Sequence, residues 1–267
     1  MSSKKNDFNQ KSEIRCKRYR KKILEISQQV SALHIAPAFS CTEIVDVIYN
    51  CILKKKNKDI FLMSKGHGCM IQYVILEEKE ILKKKDLDNY CKPNGILGAH
   101  PDYENPGIEG STGSLGHGLG ICVGMAYAEK LKKSKSNIYS VLSDGECQEG
   151  STWEAAMMAG NLFLDNLIIF IDVNDFSGLE RMSEGHPAFH PLKTKFQSFG
   201  WEVFEVDGHD SFEIYKAYSN KNNKKPLAVI CNTIKGKGIS FMEDKAESHY
   251  WAGISETDMK TMIEELS

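Results

Sequence analysis

No run of apolar residues in this chain approaches the ~18 that would suggest a membrane-spanning helix. The polar opening Met1 to Lys11 lacks the apolar stretch of a secretory signal. Eight cysteines, at 16, 41, 51, 69, 91, 122, 147 and 231, include no C-x-x-C pair. Several lie inside apolar runs, which argues against a disulfide frame or a zinc site and for reduced, buried thiols in a cytoplasmic protein. An excess of charge is also missing, because 34 Lys+Arg against 36 Asp+Glu leave a net charge of −2. Nothing in that balance asks for nucleic acid. The basic clusters at 11–22, 54–58 and Lys83-Lys84-Lys85 read as solvated faces of helices and loops.

What is present is an alternation of apolar strands with helical segments. Residues 1–12 read as a disordered tail, and 13–267 as one domain. Apolar residues at Ile14, Ile23, Ile26 and Val30 predict an amphipathic helix from Glu13 to about Val30. Further helices are expected over Thr42–Ile52, 68–78, Leu115–Lys132, Gly150–Phe163, Lys193–Phe199 and Ser211–Ser219. Strands are expected at Ile60–Met63, Ile138–Leu142, Leu167–Val173, Glu202–Val206 and Leu227–Thr233. Long loops fill 91–113 and 175–191. Such an order of buried strands and helices predicts an α/β fold with a doubly wound parallel sheet flanked by helices.

Two short segments carry the chemistry. Ser143-Asp144-Gly145-Glu146 follows one apolar strand and Asp172-Val173-Asn174-Asp175 ends the next, with Asp144 and Asn174 separated by 174 − 144 = 30 residues. That is about one β-α-β unit, so both side chains come out at the same sheet edge, where ligands of open α/β sheets bind. A carboxylate, a carboxamide and a backbone carbonyl at Phe176 supply oxygens that suit Mg²⁺ carrying a diphosphate. Gly145 lets the main chain approach a phosphate ahead of a helix N-terminus. On spacing alone, an ordinary βα turn with an unrelated Asn explains the pair equally well.

The run Gly110 to Gly120 is glycine-rich, but no strand precedes it and its spacing is not that of a dinucleotide fingerprint. Gly116, Gly120 and Gly124 fall on one helix face, which predicts close packing of that helix on the sheet. Four histidines, His34, His67, His100 and His249, lie in loops flanked by Gly, Ala or Pro, where imidazole can contact phosphate and pass protons. His117 and His209 read as packing or surface residues, and His186 and His190 are undecided.

Around these residues the sequence resembles the transketolases, thiamine-diphosphate enzymes, and specifically the N-terminal subunit of a split transketolase. The resemblance rests on D-G-E-C-Q-E-G-S-T-W-E-A-A-M-M-A-G-N (144–161) and L-D-N-L-I-I-F-I-D-V-N (164–174). It extends to S-K-G-H (64–67), G-A-H-P (98–101), S-T-G-S-L-G-H-G-L (111–119), F-G-W-E-V (199–203) and T-I-K-G-K-G-I-S-F-M-E (233–243).

The resemblance implies a fold that binds the diphosphate of thiamine diphosphate and an enzyme that transfers a two-carbon ketol unit from a ketose or ketose phosphate to an aldehyde. It implies Asp144, Asn174 and the Phe176 carbonyl as ligands of Mg²⁺, for which Ca²⁺ can substitute. His67, Gly113, Ser114, Leu115, Gly145, Glu146 and His249 would bind the cofactor, and His34, His100 and His249 would act on the sugar. Glu149 would take part in contact between paired subunits. It also implies a partner, a C-terminal subunit with pyrimidine-binding and C-terminal domains, in an α2β2 heterotetramer.

The chain departs from the family pattern near the expected substrate entrance. Ser143 stands where the motif has Gly, and His34 is followed by Ile-Ala-Pro-Ala-Phe. His249 lies in Ser-His-Tyr-Trp-Ala-Gly (248–253), and the loop from Gly178 to His190 is unlike the common pattern. These changes point to a variant donor or acceptor in specialised sugar metabolism. The alternatives are half of another thiamine-diphosphate carboligase or decarboxylase, and a scaffold that keeps the fold without the chemistry.

Overall fold

The computed structural model describes residues 2–28, 30, 34–249 and 254–267. In chain order the helices are α1 (Ser2–Ser27), α2 (Ile35–Ser40), α3 (Thr42–Val47), α4 (Cys69–Glu78), α5 (Lys84–Asp88), α6 (Gly118–Leu131), α7 (Gly150–Asn161), α8 (Met182–Gly185), α9 (Leu192–Ser198), α10 (Ser211–Ser219) and α11 (Glu256–Glu265). The strands are β1 (Ile60–Met63), β2 (Ile138–Ser143), β3 (Leu167–Val173), β4 (Phe176–Ser177), β5 (Glu180–Arg181), β6 (Glu202–Asp207) and β7 (Leu227–Asn232). Five of them form a parallel sheet in the order β1-β2-β3-β7-β6, while β4 and β5 make a small antiparallel hairpin. The expected α/β architecture, a parallel sheet flanked by helices, is what the chain adopts. Among the described residues no helix is long and apolar enough to cross a membrane.

The central strands are buried on both faces, and the period of two in a strand sorts their side chains between two cores. Leu167, Ile169 and Ile171 of β3 pack with Leu119 of α6, Ala156 of α7 and Phe196 of α9. Ile168 and Phe170 point the other way, into a larger core with Tyr19 of α1, Phe39 of α2, Ile44 of α3, Ile71 of α4 and Ile214 of α10. The same alternation carries Asp172, which is fully buried, towards the larger core at the strand's C-terminal end. A carboxylate delivered there needs partners, and it shapes the site described below.

The expected disordered tail over 1–12 is corrected by the structure. Helix α1 begins at Ser2, and its first turns dock on α10. The Phe8 ring lies 5.8 Å from Phe212 and 5.3 Å from Tyr215, between ring centroids. Asn9 donates to Asp210 at 3.0 Å, and buried Ser12 donates to Asp46 at 2.5 Å. Tertiary contact holds a polar segment whose own propensity would leave it frayed.

Packing of Gly120 and Gly124 on the sheet is likewise corrected. Both are exposed on α6, and a Cβ on either would meet nothing within 4 Å. Helix α2 is not evident from the sequence pattern because it contains Pro37. The proline sits in the first turn, where its missing N–H is not needed.

Candidate active site

The loops after β1, β2, β3 and β7 meet at the C-terminal edge of the sheet. There they enclose a cavity of about 340 Å³. Strand β1 runs into Ser64-Lys65-Gly66-His67, β2 into Asp144-Gly145, β3 into Asn174, and β7 into Lys235 two residues after Thr233. His34 stands at the N-terminus of α2, His100 and Gly113 come from the long loop between α5 and α6, and His249 ends a short 3₁₀ turn at Ala246–His249.

Of the residues expected to act, His34, His67, His100, Gly113, Leu115, Gly145, Asn174, Phe176 and His249 line this cavity. Asp144 lies directly behind the wall and is fully buried. Ser114 and Glu146 are not among the residues that line it. Ser114 is exposed, between two residues that do line the wall. Glu146 is fully buried, and its Oε1 accepts from the Ser64 hydroxyl at 2.5 Å and from the Gly116 N–H at 3.1 Å. It ties the glycine-rich loop to the end of β1 and does not reach into the cavity. His117 is exposed, and His209 bridges Glu43 and the Ile234 N–H, so both fit the packing or surface reading.

The four imidazoles form one cluster. His34 lies 5.8 Å from His67, 5.5 Å from His100 and 5.2 Å from His249, and His67 lies 5.8 Å from His249. Glycine makes this density possible. Gly113 has φ +125°, and a Cβ there would fall 2.7 Å from the His100 ring. A Cβ on Gly66 would fall 2.7 Å from the Gly113 nitrogen, so the two loops meet backbone to backbone.

Burial and nearby cations keep the histidines neutral. His34 is pushed down to about 4 by desolvation, then by His100, Lys65 and Lys235. His249 is pushed down to about 3 by desolvation, then by Lys235 and His34. His67 lies well below its usual value for the same reasons, with burial first and Lys65 second. Lys235 itself is lowered to about 8 by burial and by Lys65. At neutral pH these rings both donate and accept hydrogen bonds.

The acidic side of the cavity is complementary. Asp144 accepts from the Gly145 N–H at 2.9 Å and from the Asp175 N–H at 2.7 Å. Burial, followed by the neighbouring Asp172, raises its carboxyl to about 7. Asn174 Oδ1 accepts from the Phe176 N–H at 3.1 Å. A cation here would relieve two neighbouring buried carboxylates, and an anion beside Lys235 would relieve two neighbouring ammonium groups. A metal–diphosphate meets both demands at once.

Among the described residues no three His, Cys, Asp or Glu side chains converge as a metal cluster. One carboxylate, one carboxamide and main-chain carbonyls form an all-oxygen set that leaves positions for phosphate oxygens, which suits Mg²⁺.

The residues the sequence reasoning missed are Lys65, Asp172 and Lys235. Lys235 lines the cavity, donating to the Gly178 carbonyl at 3.1 Å with its ammonium 4.8 Å from the centre of the Phe176 ring. Both lysines stand in glycine-flanked turns after strands, inside the S-K-G-H (64–67) and T-I-K-G-K-G-I-S-F-M-E (233–243) segments that carry the resemblance.

This geometry belongs to a family. Residues 15–267 match the family described as "Transketolase, thiamine diphosphate binding domain", and the chain belongs to it. The chain is 36% identical over 247 residues to an apulose-4-phosphate transketolase subunit of Phocaeicola vulgatus, covering 89% of this chain and 88% of the relative. It is 37% identical over 240 residues to the 6-deoxy-6-sulfo-D-fructose transketolase subunit SqwG of a Clostridium species, covering 86% and 87%. Among solved structures, the transketolase of Campylobacter jejuni superposes with a TM-score of 0.88 at 28% identity. That match covers 96% of this chain and 43% of the solved one, so the chain spans about two fifths of the solved transketolase's length.

Proposed function

We propose that this chain is the diphosphate-binding subunit of a two-subunit transketolase. The enzyme would transfer a two-carbon ketol unit from a ketose or ketose phosphate to an aldehyde. The C2–C3 bond of the donor breaks, a shorter aldose leaves, and a new carbon–carbon bond forms at the acceptor's aldehyde carbon. The observation that carries this reading is the convergence of Asp144 and Asn174 with Lys235 and four neutral imidazoles on one cavity.

When bound, thiamine diphosphate supplies the carbon nucleophile for this exchange. Asp144, Asn174 and the Phe176 carbonyl would hold Mg²⁺, with Ca²⁺ able to substitute. His67, His249, Lys235 and the backbone at Gly113, Leu115 and Gly145 would grip the diphosphate end. His34 and His100 would bind the sugar's hydroxyls and move protons at their oxygens, a task for which neutral rings are suited. His249 reaches both groups.

The chain would work with a C-terminal transketolase subunit carrying the pyrimidine-binding and C-terminal domains, in an α2β2 assembly that pairs copies near Glu149. Relatives of matching length that are themselves named as transketolase subunits support the partner, as does the length ratio to the solved transketolases. Relatives named for apulose 4-phosphate and for 6-deoxy-6-sulfo-D-fructose support an unusual sugar as substrate. The test is calorimetric. The paired subunits are titrated with thiamine diphosphate and Mg²⁺, and an absence of binding would overturn the reading.

A further inference from the structure

Behind the cavity, Lys65 and Asp172 form an ion pair with no solvent exposure on either side chain. Asp172 is the centre of a wholly donating shell. It accepts from Ser40 Oγ at 2.5 and 2.6 Å, from Thr233 Oγ1, from Lys65 Nζ, and from Asn174 Nδ2 at 3.2 Å. Asn174 Nδ2 also donates to Ser40 Oγ at 3.0 Å. The Lys65 ammonium also donates to the Pro37 carbonyl at 3.1 Å in the first turn of α2.

An ionised carboxylate only accepts. An asparagine beside it must therefore present its NH₂, and its oxygen faces the other way. In this site the other way is the Phe176 N–H and the cavity. We propose that Asp172, held by Lys65, is a positioning residue that locks the Asn174 carboxamide with its oxygen on the ligand side. Lys65 extends the lock to the turn that begins at His34, so one buried ammonium spans the metal side and the sugar side of the cavity.

The geometry distinguishes this from a merely structural ion pair. Ser40 touches both Asp172 and Asn174, and the two Asn174 Nδ2 bonds end on Asp172 Oδ2 and on the Ser40 hydroxyl that itself donates to Asp172. Partners of this kind, which orient a ligand without touching the metal, typically change metal affinity by about 10–100-fold when replaced.

The inference rests on the metal reading above, and its test separates the two. The full chain with its partner subunit is titrated with Mn²⁺ at saturating thiamine diphosphate, and free Mn²⁺ is followed by electron paramagnetic resonance. Asp172→Asn offers either face of its own amide to Asn174, so the expected result is Mn²⁺ affinity weakened about 10–100-fold. Asn174→Asp on that background puts oxygen at both positions, needs no orientation and should restore wild-type affinity. The same Asn174→Asp change in the wild-type background sets two carboxylates side by side and should weaken binding. Should Asp172→Asn fail to fold, Ser40→Ala removes the shared hydroxyl and should weaken Mn²⁺ binding in a folded protein.

Wild-type binding with unchanged affinity in Asp172→Asn, or in Ser40→Ala where that variant stands in, would overturn the positioning role alone. No rescue by the double variant would overturn it too. Absence of Mn²⁺ binding by wild type would overturn the metal reading and this inference with it.

Discussion

The ammonium of Lys235 donates to Nδ1 of His249 at 2.8 Å. Lysine has no acceptor, so His249 is a neutral ring with its proton on Nε2, turned to a cavity it shares with three other imidazoles. The pair places a cation and a hydrogen-bond donor together where the diphosphate is proposed to sit. Replacing Lys235 with Met should weaken thiamine-diphosphate binding at least about tenfold, since a charge-assisted contact is lost. His249 should then titrate at a higher pH, although its burial keeps it below a free histidine. Histidine NMR titration of wild type and variant checks this, and an unmoved His249 would contradict the coupling.

The depressed histidines also set the acid stability of the chain. His34, His67 and His249 all lie below their unfolded values. A base whose folded pKa is lowered contributes stability that is present above the unfolded value, near pH 6.5, and is lost as pH falls through the folded value. For His34 and His249 that window runs from about 6.5 down to about 4 and about 3. Denaturant midpoints should therefore fall steadily below pH 6.5. His249→Gln should flatten that slope, and an equal slope in the variant would show that the ring is not buried as described.

Helix α1 provides a third test. Phe8 packs on Phe212 and Tyr215 and is half-buried. Phe8→Ala should destabilise the chain by about 1–2 kcal/mol, below the about 3–5 kcal/mol of a fully buried phenylalanine. Chemical denaturation measures it. A change near zero would favour the free tail that the polar composition of residues 1–12 suggests.

Much of the frame was legible because its pattern is strong. The strand over Leu167–Val173 and the helix over Ser211–Ser219 have the same bounds in structure as in pattern, since one is an unbroken apolar run and the other opens at Asp210, whose side chain accepts the Glu213 N–H at 3.0 Å. The first turns of α1 were not legible, because what orders them is Asp46, Asp210 and Phe212, distant in sequence.

The same is true of the site. Asp144, Asn174 and the histidines stand out by residue type and spacing. Lys65 and Asp172 do not, because a lysine beside glycine reads as surface until α2 is laid over it. Within 175–191 the β4–β5 hairpin was hidden for a similar reason. Asp175, at φ +68°, folds it by accepting from the Ser183 N–H at 2.8 Å and from Arg181 at 3.2 Å. Of the unusual 248–253 segment, 250–253 lie outside the described residues.

Gly113 offers a local probe of the cluster. Gly113→Ala would drive a methyl group into the His100 ring and strain a backbone at φ +125°. Strain of that kind is worth about 1–3 kcal/mol, so the loop should shift and ketol transfer should fall at least about tenfold. Global stability should fall by no more than that strain. A steady-state assay beside a melting curve separates the two effects, and full activity in the variant would remove His100 from the proposed machinery.

On the proposed reading this chain holds half of an active site. That reading is tested most directly by measuring ketol transfer from a ketose phosphate with thiamine diphosphate and Mg²⁺, using this chain by itself, its partner by itself, and the two mixed. Turnover is expected in the mixture alone, abolished when the divalent cation is chelated. Turnover by this chain without a partner would contradict it.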